Sequence, residues 1–269
     1  MAWVSPTGPL GELVFASERR GTALAAMAGD LERAALVAMD VPPFAPALRR
    51  SDVAVIAELK RRSPSKGVIN DILDAPARAA DYAAGGAAAI SVLTEPTRFG
   101  GTLDDLRAAR GATTIPIVRK DFIVDRLQLF EARAAGASAV LLIARALPPS
   151  RFASLAADAL AIGLGVLLEV RSETELEQGL RIDGAVIGVN NRNLETLELD
   201  DAVSERLMPL VPRDRIVVYE SGVGGVTDVE RAAALGADAV LVGSTVSAPL
   251  DGARAVAALV GVPRQPRAR

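Results

Sequence analysis

Residues Val55 to Gly67 read VIAELKRRSPSKG. An apolar run ends in Glu58 and Lys60, two residues apart and so on one face of a strand, and a Ser-Pro-Ser-Lys-Gly turn follows at once. A strand of this kind delivers an acid and a base to one place. Alone, it reads first as an edge strand with a solvated ion pair, since most charged strand ends are simply surface. At least four later strands also end in a reactive side chain, and a purely structural explanation would need all of them to be coincidence.

From Val53 onward, short β-branched runs alternate with Ala-rich helical stretches, the pattern of a parallel sheet with crossover helices. The runs are Val53 to Leu59, Ala87 to Leu93, Ile115 to Lys120, Ala139 to Ala144, Gly165 to Val170, Ala185 to Asn190, Arg215 to Glu220 and Ala239 to Gly243. Each is followed by a helical stretch, from Ala75 to Ala84 through to Gly252 to Val260. This is the count of a (β/α)8 TIM barrel. GGAAAISVL from Gly85, GASAVLLIA from Gly136 and GADAVLVGS from Gly236 form a weak internal repeat, each placing a Gly at a helix C-cap before a buried strand. A doubly wound open sheet would not bring strand ends from both halves of the chain together; closure does. Ahead of the barrel, Gly21 to Met39 reads as one helix ended by Pro42, Pro43 and Pro46. The expected division is an N-terminal helical extension over 1–50, a barrel over 51–262 and a tail over 263–269.

In a barrel of this kind the active site lies at the C-terminal strand ends. Those ends supply Glu58 and Lys60, then Lys120 in VRKDF, Glu169 in LLEV, Asn190 and Arg192 in GVNNRNL, and Glu220 and Ser221 in YESG. Lys60, Lys120 and Arg192 would offset Glu58, Glu169 and Glu220, predicting a nearly neutral mouth in which neighbours meet each burial cost. Thr94 and Glu95 after the second strand read either as polar lining or as a loop without catalytic duty. After the last two strands, Ser221-Gly222 and Gly243-Ser244-Thr245 put small residues and free N–H groups where barrel enzymes bind phosphate.

Composition narrows the chemistry. The 269 residues are half hydrophobic with a formal net charge of -3, enough for one large soluble domain. Cysteine and histidine are absent, which removes disulfides, thiol nucleophiles, Ser-His triads and His-Cys zinc sites. Acid-base work falls to Glu, Asp, Lys or Tyr. No signal-peptide pattern or span of roughly 18 apolar residues is present, so a cytoplasmic protein with no membrane partner is expected. An acidic balance with few aromatics argues against nucleic acid. A small anionic ligand is compatible with it.

Together the motifs resemble one family, indole-3-glycerol phosphate synthase, which closes the indole ring in tryptophan biosynthesis. The resemblance runs through VIAELKRRSPSKG, AAISVLTEPTRFGGT, PIVRKDFIVDRLQLFEARAAGASAVLLIA, LLEV, IGVNNRNL, ESGV and GADAVLVGS, from about Val53 to Ser244. It implies a carboxy-lyase that cyclises, decarboxylates and dehydrates 1-(2-carboxyphenylamino)-1-deoxyribulose 5-phosphate without cofactor or metal. The resemblance makes Lys120 the general acid and Glu169 the carboxylate that moves protons. Lys60 and Glu58 orient the substrate and assist dehydration, the division of labour between the two lysines being open. Asn190 meets the sugar hydroxyls, while Ser63 and Arg192 meet the substrate's anionic ends. Glu220 and Phe122 belong to the substrate-binding set, and Ser221, Gly222, Gly243 and Ser244 to the phosphate site, with Ser221 also among the catalytic residues. The partner implied is an anthranilate-derived sugar phosphate, and a monomer or weak dimer is expected.

The departures are peripheral. The N-terminal helix lacks the family's basic, charge-dense pattern, and Thr97-Arg98 replaces a more aromatic stretch before Gly100-Gly101. By the resemblance, Phe44 and Leu48 should pack over the barrel mouth. A phosphoribosylanthranilate isomerase is the nearest competing enzyme, but that family relies on a Cys-Asp pair that a chain without cysteine cannot supply. A catalytically silent sugar-phosphate-binding barrel would be favoured by loss of Lys120 or Glu169, and both are present.

Overall fold

Runs such as AVLLI (Ala139–Ile143) and AVLV (Ala239–Val242) have no polar alternation, so neither face can be left in water. In the computed structural model, which describes residues 3–267, every residue of both runs is buried. We number the barrel strands β1 Ala54–Leu59, β2 Ala89–Leu93, β3 Ile117–Lys120, β4 Ala139–Ile143, β5 Gly165–Val170, β6 Val186–Asn190, β7 Val217–Glu220 and β8 Ala239–Val242. Each is parallel to its neighbours, and β1 pairs with both β2 and β8, which closes the barrel. Helices separate successive strands and cover the outside.

Several strands start one or two residues later than the sequence suggests. Pro116 has no N–H to give the ladder, for example, so β3 begins at Ile117. In the repeat, Gly136 and Gly236 take the left-handed conformation after the helix (φ +87° and +81°). In the first copy Gly86 does so (φ +94°), and Gly85 is still right-handed. The turn after β1 adds a small antiparallel hairpin, Arg62–Ser63 with Gly67–Val68.

The N-terminal segment differs from expectation in extent and in destination. The first helix runs Gly8–Leu24, a 3₁₀ turn spans Ala25–Met27, and a second helix covers Ala28–Leu36. Pro9 suits the first turn because its missing N–H has no helical partner there. Leu10, Leu13, Val14, Ser17 and Gly21 form a buried stripe at three- and four-residue spacing. Gly21 lies inside this helix rather than at a helix start, and a Cβ there would stand 2.8 Å from Asp125 Cβ. Phe44 sits at the opposite end of the barrel from the mouth. Its Cβ lies 3.3 Å from where Gly165 would carry one, beside Ala139, and these two residues begin β5 and β4. Leu48 belongs to the same end, followed by Arg49, which donates to the carbonyl of Asp214 ahead of β7. At this end the C-terminal residues are also fastened, since buried Arg267 pairs with Asp238 at 2.9 Å. Among the described residues, no helix is long and apolar enough to cross a membrane.

Candidate active site

The C-terminal strand ends open on a cavity of about 330 Å³, lined by Glu58, Lys60, Lys120, Glu169, Asn190 and Glu220 from five different strands and the turn after β1. Lys120 is central. Its Nζ lies 2.9 Å from Glu220, 3.8 Å from Glu169 and 4.0 Å from Glu58. Lys60 pairs with the other oxygen of Glu58 at 2.8 Å. Glu220 reaches Lys120 by lying across Gly188 of β6, where a Cβ would collide with Glu220 Oε1. Any side chain at 188 would push the carboxylate away, so this glycine provides space rather than backbone freedom.

Arg192 does not offset the third carboxylate as the charge count predicts. Its guanidinium turns to the carbonyl of Leu197 at 2.7 Å, and among the described residues it makes no ion pair. Charge counted by residue type cannot tell in which direction a long side chain points. Two ammonium groups thus face three carboxylates, and the imbalance falls on Glu169. Burial and the charge of Glu220 push its pKa up to about 7, with Lys120 and Asn190 only partly opposing them. Burial also resists charge on Lys120, but Glu220, Glu58 and Glu169 outweigh it and raise the pKa. For Glu58, burial is overcome by Lys60 and Lys120, and the pKa is lowered. The mouth therefore holds a fixed ion pair beside a carboxyl able to gain or lose a proton near neutrality. One oxygen each of Glu58 and Glu220 is buried without a hydrogen-bond partner.

Ser63, Phe122, Arg192, Ser221, Gly222, Gly243 and Ser244 all line the same cavity. The Ser221 hydroxyl donates to Asn190 Oδ1 at 2.9 Å, and that oxygen also accepts the backbone N–H of Arg192 at 2.9 Å. Ser221 and Gly222 are both left-handed (φ +68° and +89°), which costs a non-glycine residue about 1 to 2 kcal/mol. At Gly243 the chain leaves β8 and enters the one-turn helix Ser244–Ser247. Since β7 and β8 are paired neighbours, the two small-residue turns flank one end of the cavity. Thr94 and Glu95 prove to be builders of loops. Thr94 donates to Asp121 at 2.7 Å, and the Glu95 carboxylate accepts the N–H groups of Thr97, Arg98 and Phe99.

No local sign in the sequence points to the cavity's apolar roof, made by Pro9 and Leu13 of the first helix, Leu194, Leu197 and Leu199 after β6, and Phe99. Phe99 meets Phe122 with ring centroids 6.1 Å apart. The first helix is held there by Arg20, which grips both oxygens of Asp121 at 3.0 and 2.6 Å. Asp121 directly follows Lys120 and is fully buried. Burial opposes its charge, but Arg119 and Arg20 hold its pKa down at about 2. An arginine at 119 in a strand buried on both faces was the available clue, because such a charge needs a partner.

Comparison with known proteins agrees with this geometry. The family model described as indole-3-glycerol phosphate synthase matches residues 17–259. The chain belongs to the indole-3-glycerol phosphate synthase family. Its relatives include the indole-3-glycerol phosphate synthase of Kineococcus radiotolerans, 51% identical over 214 residues, covering 80% of this chain and 78% of the relative. Indole-3-glycerol phosphate synthase 2 of Streptomyces coelicolor is 44% identical over 260 residues, 95% of this chain and all of the relative. Membership of the family carries the activity class with it, a carboxy-lyase of tryptophan biosynthesis. Among solved structures, 3-hexulose-6-phosphate synthase from Salmonella typhimurium superposes with a TM-score of 0.61 at 16% identity, over 77% of this chain and 96% of the other. The tryptophan synthase alpha subunit of Legionella pneumophila gives 0.55 at 14%, over 77% and 91%. At such identities the likeness concerns the barrel alone.

Proposed function

We propose that this cavity converts 1-(2-carboxyphenylamino)-1-deoxyribulose 5-phosphate into indole-3-glycerol phosphate, CO₂ and water. The observation that carries the reading is the half-buried Lys120 among three carboxylates, one of them poised near neutrality, beneath an apolar roof suited to an aromatic ring. Lys120 is the acid for the ribulose carbonyl oxygen as the aromatic carbon attacks. Its raised pKa keeps it protonated at neutral pH, so the proton is in place when the alkoxide develops. Glu169 carries the protons of ring closure and dehydration, for which a pKa near the operating pH is the most effective.

Glu58 and Lys60 orient the substrate and assist dehydration. Asn190 meets the sugar hydroxyls, with Ser221 fixing its orientation. Ser63 and Arg192 receive an anionic end, Phe122 lies against the ring, and Glu220 holds Lys120 in place. The turns at Ser221-Gly222 and Gly243-Ser244 hold the phosphate. On this reading the protein works in the cytoplasm as a monomer or weak dimer, on a small molecule and without nucleic acid. The direct test is to mix the purified protein with the carboxyphenylamino-deoxyribulose phosphate and follow indole fluorescence. Folded protein that forms no product at high enzyme concentration would refute the reading.

Glu169→Gln separates catalysis from stability. The amide cannot exchange a proton, so kcat should collapse although the two side chains are nearly isosteric. The fold should gain. A folded-state pKa of about 7 against an ordinary 4.5 means that both states are protonated below pH 4.5 and no penalty is present there. Between pH 4.5 and about 7 the unfolded chain ionises this carboxyl while the folded chain keeps it protonated beside Glu220, and about 3 kcal/mol of stability is lost by pH 8. The glutamine variant escapes that loss. Its Tm should exceed wild type by several degrees at pH 8 and match it near pH 4.5, as differential scanning calorimetry can measure. A gain independent of pH would mean that Glu169 titrates normally.

A further inference from the structure

One buried hydroxyl beside the cavity is left unused by these roles. Ser247 ends the helix Ser244–Ser247 and is fully buried. Its Oγ donates to the carbonyl of Glu58 at 2.5 Å and accepts the backbone N–H of Lys60 at 3.2 Å. The Tyr82 hydroxyl donates to the same Glu58 carbonyl at 3.2 Å and stands 3.3 Å from Ser247 Oγ. The carbonyl of Ser247 accepts from Asn70 at 3.1 Å, and that of Val246 from Arg78 at 3.0 Å.

The need for this hydroxyl follows from the ladder. Even-numbered residues of β1 bond toward β8, as Ala54 N–H does to the Asp238 carbonyl, and odd-numbered ones toward β2, as Val55 carbonyl does to Ala88 N–H. Pairing with β8 stops at Ala57 and Val242, because Gly243 takes the chain out of the sheet. The next groups on that side are the Glu58 carbonyl and the Lys60 N–H. Left unpaired in a buried rim, both would be costly. One hydroxyl satisfies the pair and fastens the backbone on either side of Leu59 to a helix only four residues long. That helix begins at the phosphate turn, and the backbone it holds bears Glu58 and Lys60.

We propose that Ser247 is a positioning residue that couples occupancy of the Gly243-Ser244 turn to the setting of the Glu58–Lys60 pair. Part of the phosphate's binding energy then serves the chemical step. The inference rests on the phosphate reading given under Proposed function. The test is a cycle of two enzymes, wild type and Ser247→Ala, and two substrates, the phosphorylated one and its 5′-dephospho analogue. Each reaction is followed by indole fluorescence in the steady state, over a range of substrate concentrations.

On the phosphorylated substrate Ser247→Ala should lose about tenfold in kcat with KM within about twofold. On the dephospho analogue the two enzymes should agree within about twofold. Tyr82→Phe removes the second hydroxyl at the Glu58 carbonyl and at Ser247 Oγ, loosening the bridge without breaking it, and should shift the same ratio in the same direction by about threefold, which keeps the test available if Ser247→Ala folds poorly. Equal slowing of both substrates, or a rise in KM alone, would make Ser247 structural and overturn the proposal. Equal kcat of wild type on the two substrates is a different failure, visible before any variant is made, and it would remove the phosphate reading itself.

Discussion

Lys120→Met should leave a folded protein that takes up substrate and fails to close the ring, with kcat lower by at least roughly a hundredfold, the usual cost of losing a general acid. Methionine keeps the unbranched chain to within one atom of its length and removes the charge. Glu220, Glu169 and Glu58 then lose the cation lying 2.9, 3.8 and 4.0 Å away, and Lys60 alone, paired with Glu58 at 2.8 Å, faces the three. Glu58 and Glu169, whose pKa values Lys120 holds down, should take up protons at higher pH than in wild type. Substrate, anionic at both ends, should therefore bind more weakly at pH 8 than at pH 6. Lowering the pH should restore binding without restoring turnover, because protonated carboxylates no longer repel the ligand but the acid is still missing. Equilibrium binding and single-turnover rates at the two pH values separate these effects. A kcat near that of wild type would remove Lys120 from the acid role.

The strand ends were legible because the reactive residue and the apolar run that aims it are covalent neighbours. VIAELK, IVRK, GVLLEV and VVYE each state both the strand and its cargo, and the barrel follows from their number and spacing. What stayed hidden depends on contacts distant in sequence. Leu13 is one residue in a helical stripe, and nothing near it says that the stripe ends over the mouth; Arg20 on Asp121, 101 positions away, does. Phe44, placed at the mouth by resemblance, lies at the other end, beside Gly165. Gly188 looks like an ordinary strand glycine until the Glu220 carboxylate is seen to occupy the space of its missing Cβ. The aim of Arg192 was equally unreadable. Its turn toward Leu197 leaves the carboxylates in excess, and that excess is what moves Glu169 into the range useful for proton transfer.

Gly243→Asp should cripple the enzyme in kcat as well as in KM, a broader effect than the loss of a phosphate contact. What requires glycine at 243 is space. A Cβ on Gly243 would collide with Lys60 Nζ and lie 2.6 Å from Glu58 Oε1 and 3.0 Å from Lys60 Cε. It therefore points into the ion pair, and Glu58, almost wholly buried, has no room to retreat. An Asp carboxylate adds charge to the collision, competing with Glu58 for Lys60 and repelling a phosphate that carries close to two negative charges. Two companion variants separate the contributions. Gly243→Ala brings the steric part without the charge, so kcat should fall while phosphate affinity is largely kept, since the N–H groups of the turn remain. Ser244→Ala removes one hydroxyl contact to a charged group, about 1.5 to 3 kcal/mol, and should appear mainly as a raised KM. Measuring kcat and KM for all three places the pair and the anion turn on one side or the other of Gly243. Unchanged KM in Gly243→Asp would mean that the phosphate binds elsewhere in the mouth, and unchanged kcat in Gly243→Ala would mean that chemistry does not depend on the Glu58–Lys60 geometry.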